Sequence, residues 1–251
     1  MKIVGIIQAR MGSSRLPGKV LADIVGKPMI RRIVERVSAS RLIDDIIVAT
    51  TVAEEDDVLE EYIQFNLNCR VFRGSVNDVL ERYFLCARKY QADIIVRLTA
   101  DDPLKDPLII DKAIKFLLDN PTLDYCSNTI EPSYPEGLDV EVIRFSALEC
   151  AYENAQLLSE REHVTPYIWK QPHKFSTQNF TFDKDLSDWR WTIDKPKDLE
   201  FMRCVYTKFN TSPLVLFTDV ISWLEENPDI QKINTGTARN EGYLKSLNME
   251  R

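Results

Sequence analysis

The sequence has no apolar run approaching the roughly 20 residues that a membrane-spanning helix needs, so insertion into a bilayer is excluded. Its five cysteines, Cys69, Cys86, Cys126, Cys150 and Cys204, are scattered, odd in number and free of any CxxC pair. That usage fits buried thiols in a reducing compartment better than disulfides or a zinc site, and the cytoplasm is the expected location. The opening MKIVGIIQAR lacks the small-residue cleavage pattern of an export signal and reads as a first strand. Lysine and arginine number 32 against 39 aspartates and glutamates, a net charge of -7. Nucleic-acid-binding surfaces are basic, so no such partner is expected. Internal repeats and low-complexity linkers are also missing, which favours a single domain over 1–251.

Against this acidic background, residues 1 to 22 carry Lys2, Arg10, Arg15 and Lys19 and no acid. The segment IIQARMGSSRLPGK begins as a buried strand and then turns into a loop of cations, glycines and serines. Small residues let backbone N–H groups approach a phosphate chain, and arginine and lysine neutralise its charge. The spacing is neither GxxxxGK[ST], because Val20 follows Lys19, nor GxGxxG. The loop is therefore a polyanion cradle of another kind.

Strands and amphipathic helices alternate along the first half. KIVGII and DDIIVATT are continuous apolar runs, and Met29, Ile30, Ile33, Val34 and Val37 recur at helical spacing between them. The same rhythm continues through EEDDVLEEYIQF, CRVFRG, NDVLERYFLCARKY, DIIVRLTA and DPLIIDKAIKFLLDN. The acidic run Glu54 to Asp57 reads as a solvated helix N-terminus. Alternation of this kind predicts an α/β fold with a doubly wound, mostly parallel sheet and helices on both faces. Beyond about residue 122, DYCSNTI, LDVEVI, KFSTQNFTF and WRWTI read as strands, with helices FSALECAYENA and EREHVTPYIWKQ among them. Residues 130–180 then form a small inserted lobe. Two helices, PKDLEFMRCVYTKF and VLFTDVISWLEENP, and an irregular tail close the chain. In such sheets ligands bind outside the carboxyl ends of the strands, where the basic loop lies.

QARMGSSRLPGKVL resembles the first loop of the cytidylyltransferases that make CMP-activated sugars, the CMP-KDO and CMP-sialate synthetase family, and in particular its SpsF-like group of spore coat polysaccharide biosynthesis. FRGSVNDVLERY, RLTADDPLKDP, YPEGLDVEVI, SEREHVTPYI, WTIDKPKDL and NEGYL resemble that group's blocks in the same order. The resemblance implies a GT-A-like fold, CTP as donor, Mg²⁺ as cofactor, a small sugar-like acceptor and a homodimer. It implies that Arg10, Ser13, Ser14, Arg15 and Lys19 hold the triphosphate with the Ala9 and Gly12 backbone beside them. Thr50, Arg73 and Gly74 would lie near the base or ribose.

Nucleotidyl transfer develops charge that metal ions stabilise, and Mg²⁺ takes carboxylate, phosphate and water oxygens. Asp101 and Asp194 each end a strand before a proline-led helix, and they are the expected metal carboxylates. Alternating side-chain direction separates Asp101 from Asp102, for which a helix N-cap before Pro103 is the competing role. Arg15 and Lys19 would stabilise the leaving pyrophosphate. For the acceptor, Glu136, Asp139 and Glu141 surround a glycine, with Asp139 and Glu141 on one strand face. Arg161 could meet a carboxylate, and His163 is a further contact candidate. The competing function is a GT-A-type glycosyltransferase using a nucleotide-sugar donor. Its Asp-x-Asp motif reads here as Asp101-Asp102-Pro103, and a cationic first loop would be superfluous for a diphosphate donor.

Overall fold

The computed structural model describes residues 1–212 and 214–250. In chain order the elements are β1 (Ile3–Gln8), α1 (Met29–Val37), β2 (Asp45–Thr51), α2 (Asp57–Asn66), β3 (Arg70–Gly74), α3 (Val79–Lys89), β4 (Ile94–Thr99) and α4 (Pro107–Asp119). There follow β5 (Tyr125–Ser127), β6 (Glu141–Arg144), α5 (Phe145–Asn154), α6 (Leu158–His163), α7 (Pro166–Trp169) and β7 (Thr177–Asn179). The chain ends with α8 (Pro196–Lys208), α9 (Phe217–Glu226), α10 (Pro228–Gln231) and α11 (Glu241–Met249).

Among the described residues the strands form one seven-stranded sheet in the order β3-β2-β1-β4-β6-β5-β7. Pairing is parallel from β3 to β4, antiparallel on both sides of β6, and parallel again between β5 and β7. The apolar strands are covered on both faces, as their uninterrupted hydrophobicity requires. Ile3 and Ile7 of β1 face a core with Met29 and Ile33 of α1 and Ile110 and Ile114 of α4. Val4 and Ile6 face a second core with Leu80, Tyr83 and Ala87 of α3. Each such side chain, taken fully from water, contributes about 1.5–3 kcal/mol. The fold is the expected mixed α/β sheet.

Strand order fixes where a site can form. From β1 the chain winds outward through β2 to β3, then returns to place β4 on the other side of β1. The reversal opens a crevice beyond the carboxyl ends of β1 and β4. The basic loop follows β1, and Asp101 follows β4.

Several local readings need correction. WRWTI is not a strand, and Arg190 makes only an isolated bridge to Glu136. This bridge is tight: Gly137 adopts φ +110°, and a Cβ there would lie 2.7 Å from the Trp191 carbonyl carbon, so only glycine fits without strain. The final segment, expected to be irregular, contains α11. Its pattern alone is weakly amphipathic, and its packing against α6 supplies what propensity does not. Pro103 does not open a helix. The helix begins at Pro107, where Asp106 Oδ1 caps the Leu108 N–H at 2.9 Å. Asp56, read as part of a solvated acidic run, is buried and accepts the Met11 N–H at 2.6 Å and the Thr51 N–H at 3.1 Å. It ties the basic loop to the end of β2. Residues 130–180 supply β6 and β7 to the main sheet, and α5 to α7 pack into the same core as α3.

Candidate active site

A cleft of about 1010 Å³ opens beyond the carboxyl ends of β1 and β4. One wall is the basic loop, including Arg10, Ser13, Ser14, Arg15 and Lys19, with Ala9 at its root. The floor carries Thr99, Asp101 and Asp194; the rim before α3 adds Val76 and Asn77, and α6 and α11 form the opposite wall. The loop's shape is set locally. Gly18 takes a left-handed φ of +70° and returns its N–H to the Met11 carbonyl at 3.0 Å, closing the loop so that a short 3-10 turn can start at Lys19.

At the centre lies an ion cluster assembled from five segments distant in sequence. Lys19 Nζ donates to Asp101 Oδ2 at 3.1 Å, to Asp194 Oδ1 at 2.9 Å and to the Ile193 carbonyl at 2.6 Å. Arg15 bridges Asp194 at 2.6 Å and Glu241 of α11 at 3.0 Å. Arg190, buried beneath, binds Asp194 at 2.8 Å, Glu136 at 2.5 Å and Asp198 at 3.2 Å. Burial alone would raise the Asp101 carboxyl, but the Lys19 ammonium, the Thr99 hydroxyl and a backbone hydrogen bond together hold it down at about 2. For Asp194, burial and the Asp101 charge are opposed by Lys19 and Arg15, and its pKa is lowered. Burial opposes the charge on Lys19, and the two aspartates raise its pKa regardless. Lys19, Asp101 and Asp194 are therefore held in their charged forms.

Two carboxylates facing one cleft suit a cation that takes its remaining ligands from phosphate and water. Among the described residues no group of three histidine, cysteine, aspartate or glutamate side chains gathers to hold a metal by protein ligands alone. The donor set thus fits a Mg²⁺ ion arriving with a triphosphate, and does not fit a self-sufficient metal centre.

Other expected site residues lie elsewhere. Asp102 is turned away from Asp101 and binds Lys105 at 2.7 Å and Thr99 Oγ1 at 2.8 Å; it caps no helix. Gly12, Thr50, Arg73 and Gly74 are not on the cleft wall. Arg73 is spent on Asp57 at 2.5 Å and Glu60 at 2.9 Å. Thr50 is fully buried with an unpaired Oγ1. The residues assigned to an acceptor are all engaged inside the protein. Glu136 holds Arg190 and the Asn240 N–H at 3.0 Å, and Asp139 holds Arg239. Glu141 accepts from Arg97, from Tyr125 Oη at 2.7 Å and from Thr165 Oγ1 at 2.5 Å. Arg161 binds Asp78, which caps α3. His163 pairs its Nε2 with Ser246 Oγ at 3.1 Å, and burial together with the Arg97 charge lowers its pKa to about 4, so the ring is neutral.

The sequence reading missed three features of this region. Arg190 and Asp198 brace Asp194 from below, and the only trace in the sequence is the four-residue spacing of these charges. Glu241 and Lys245 reach the cleft from α11. Arg82 is fully buried on α3 behind Gly74; its Nη1 donates to the Ser75 carbonyl at 2.6 Å, while Nε and Nη2 have no partner. Burial, with the nearby Arg10 charge, lowers its pKa. Asp56 and Asp78 act on this buried guanidinium from a distance, and among the described residues no carboxylate pairs with it directly.

The chain matches a family described as cytidylyltransferase over residues 4–216. It is 39% identical over 245 residues to the uncharacterized protein MJ1063 of Methanocaldococcus jannaschii, covering 97% of this chain and 98% of that one. It is 33% identical over 242 residues to the spore coat polysaccharide biosynthesis protein SpsF of Bacillus subtilis, covering 90% and 95%. The structure of a cytidylyltransferase from Leptospira borgpetersenii superposes with a TM-score of 0.89 at 35% identity, covering 95% of this chain and 100% of that one.

Proposed function

The chain belongs to the cytidylyltransferase family, and from that premise we propose that its cleft transfers CMP from CTP to a hydroxyl of a small sugar-like acceptor, releasing pyrophosphate. The observation that carries this reading is the meeting of Arg15 and Lys19 with Asp101 and Asp194 in one cleft. A nucleoside triphosphate brings about four negative charges, and the loop answers with Arg10, Arg15, Lys19 and the backbone of Ala9 to Ser14. The acceptor oxygen attacks the α-phosphorus in line, the bond to the β-phosphate oxygen breaks, and pyrophosphate departs. Arg15 and Lys19 lie where they can neutralise the leaving group. Mg²⁺ held through Asp101 and Asp194 would supply charge stabilisation at the reacting phosphate. Arg190, bound to Asp194 Oδ2 at 2.8 Å, braces that carboxylate from below the cleft.

The acceptor would enter between the loop and the wall of α6 and α11, where Glu162 and Lys245 face the cleft. Glu136, Asp139 and Glu141 would act from behind that pocket, by holding Arg190, Arg239 and Arg97 in place. A homodimer in the cytoplasm is part of the same proposal, from the family resemblance and the free thiols.

The test is thermal stabilisation by each of the four nucleoside triphosphates with and without magnesium, followed by pyrophosphate release from CTP with candidate acceptors. CTP is expected to stabilise the protein most, by mass action on the folded state. Equal shifts with all four triphosphates, or none, would remove the CTP assignment. Hydrolysis of a UDP-sugar without use of any triphosphate would point to glycosyl transfer.

A further inference from the structure

Both carboxylate oxygens of Asp194 are engaged by cations. Oδ1 accepts from Lys19 at 2.9 Å and pairs with the Arg15 guanidinium at 2.6 Å, and Oδ2 accepts from Arg190 at 2.8 Å. Asp101 gives its Oδ2 to the same Lys19 ammonium. That ammonium is saturated, because its third proton goes to the Ile193 carbonyl at 2.6 Å, and the side chain is only 12% exposed. Lys19 thus stands between the two carboxylates, in the space a divalent ion bridging them would need. Arg190 is locked by Glu136 and Asp198 and cannot be the group that yields. Arg15 and Lys19 line the cleft itself, and they are the cations of the set that an anion entering it would meet.

We propose that Lys19 is the resident counter-ion of Asp101 and Asp194 in the nucleotide-free protein, so that a divalent ion enters only together with the triphosphate that draws Lys19 off the carboxylates. The inference rests on the nucleotidyltransferase reading and adds an order of binding to it. In the free protein a dication would have to displace an ammonium that already makes three hydrogen bonds, next to two guanidinium groups. A triphosphate changes the balance: its oxygens accept from Lys19 and Arg15, the carboxylates are released, and the phosphates themselves complete the coordination that two protein ligands leave unfilled. Binding of metal and nucleotide is then positively coupled, and the coupling is reciprocal. The arrangement also keeps the carboxylate pair from capturing metal when there is no nucleotide to act on.

The experiment is a nucleotide-free titration with Mn²⁺, read by the loss of the free-ion paramagnetic resonance signal, on the full chain and on Lys19→Met. Both variants are first matched by far-UV circular dichroism, and Lys19→Gln serves if the methionine variant does not fold. The wild type is expected to bind Mn²⁺ weakly. Lys19→Met should bind at least tenfold more tightly, within the range of ordinary coupling energies, and Lys19→Met/Asp101→Asn should lose that gain. A second readout uses Mg²⁺ alone, which should raise the melting temperature of Lys19→Met and leave that of the wild type unchanged. Tight Mn²⁺ binding by the nucleotide-free wild type, or no gain in Lys19→Met, overturns the inference. Neither result depends on turnover, and stabilisation by CTP without metal tests the nucleotide reading separately.

Discussion

The backbone N–H of Ile193 donates to the carbonyl of Asp101 at 2.8 Å. This bond, between residues on either side of a long excursion of the chain, sets the segment ending in Asp194 alongside the turn after β4. Thr192 Oγ1 reinforces it at 3.3 Å to the same carbonyl. Two carboxylates far apart in sequence therefore face one ammonium, and the geometry leads to the following expectations.

Arg15→Ala and Asp101→Ala should each reduce turnover by about 10²–10³, the usual cost of removing one preorganised charge-stabilising group. Both side chains reach the cleft, so circular dichroism and the melting curve should change little. Pyrophosphate release near the wild-type rate in either variant would end the role assigned to that residue.

Arg190→Ala should destabilise the fold by about 3–5 kcal/mol, the cost of leaving buried charges without their partner. Glu136, Asp194 and Asp198 would all lose their shared guanidinium. Urea denaturation measures this. Loss of turnover with unchanged stability would instead make Arg190 a direct participant in chemistry.

His163 makes stability depend on pH in a definite direction. Its folded pKa of about 4 lies below the ordinary 6.5, so the unfolded chain binds more protons across that interval. Stability is full above about pH 6.5 and falls as the pH drops toward 4. His163→Gln should flatten the denaturation midpoint across this window; an equally steep curve in the variant would assign the slope to other groups.

Gly137→Ala should cost about 1–3 kcal/mol, from the positive φ and the close approach of the Trp191 carbonyl. The bridge it disturbs carries Glu136 to Arg190, so turnover should fall along with stability. A melting temperature equal to the wild type's would show that the neighbouring chain can give way.

The parts of the fold that could be read early are those where burial on both faces imposes uniform apolar strands. KIVGII, DDIIVATT and DIIVRLTA became β1, β2 and β4, and the helices between them carried their apolar stripe openly. WRWTI failed because Trp191 is buried without belonging to a ladder; an apolar alternation looks the same whether a strand pairs at every residue or at one. The tail failed for the opposite reason, since α11 owes its helix to α6 and its own pattern is faint.

For the cleft, the basic loop and the strand-end aspartates were visible as residue types in telling places. Glu136, Asp139, Glu141, Arg161 and His163 were visible too, yet a charged side chain in a sequence carries no record of its partner. The structure shows each of them already bound inside the protein.

The sequence by itself determined the strand-helix alternation, the cations after β1 and the family, because hydrophobic periodicity and local motif are properties of neighbours along the chain. Only the tertiary structure decided that Lys19 would sit between Asp101 and Asp194 and that Arg190 would brace one of them. Those relationships depend on strand order and on a backbone pairing beyond the carboxyl end of β4, and charge pairing acts through space, where separation along the chain has no influence.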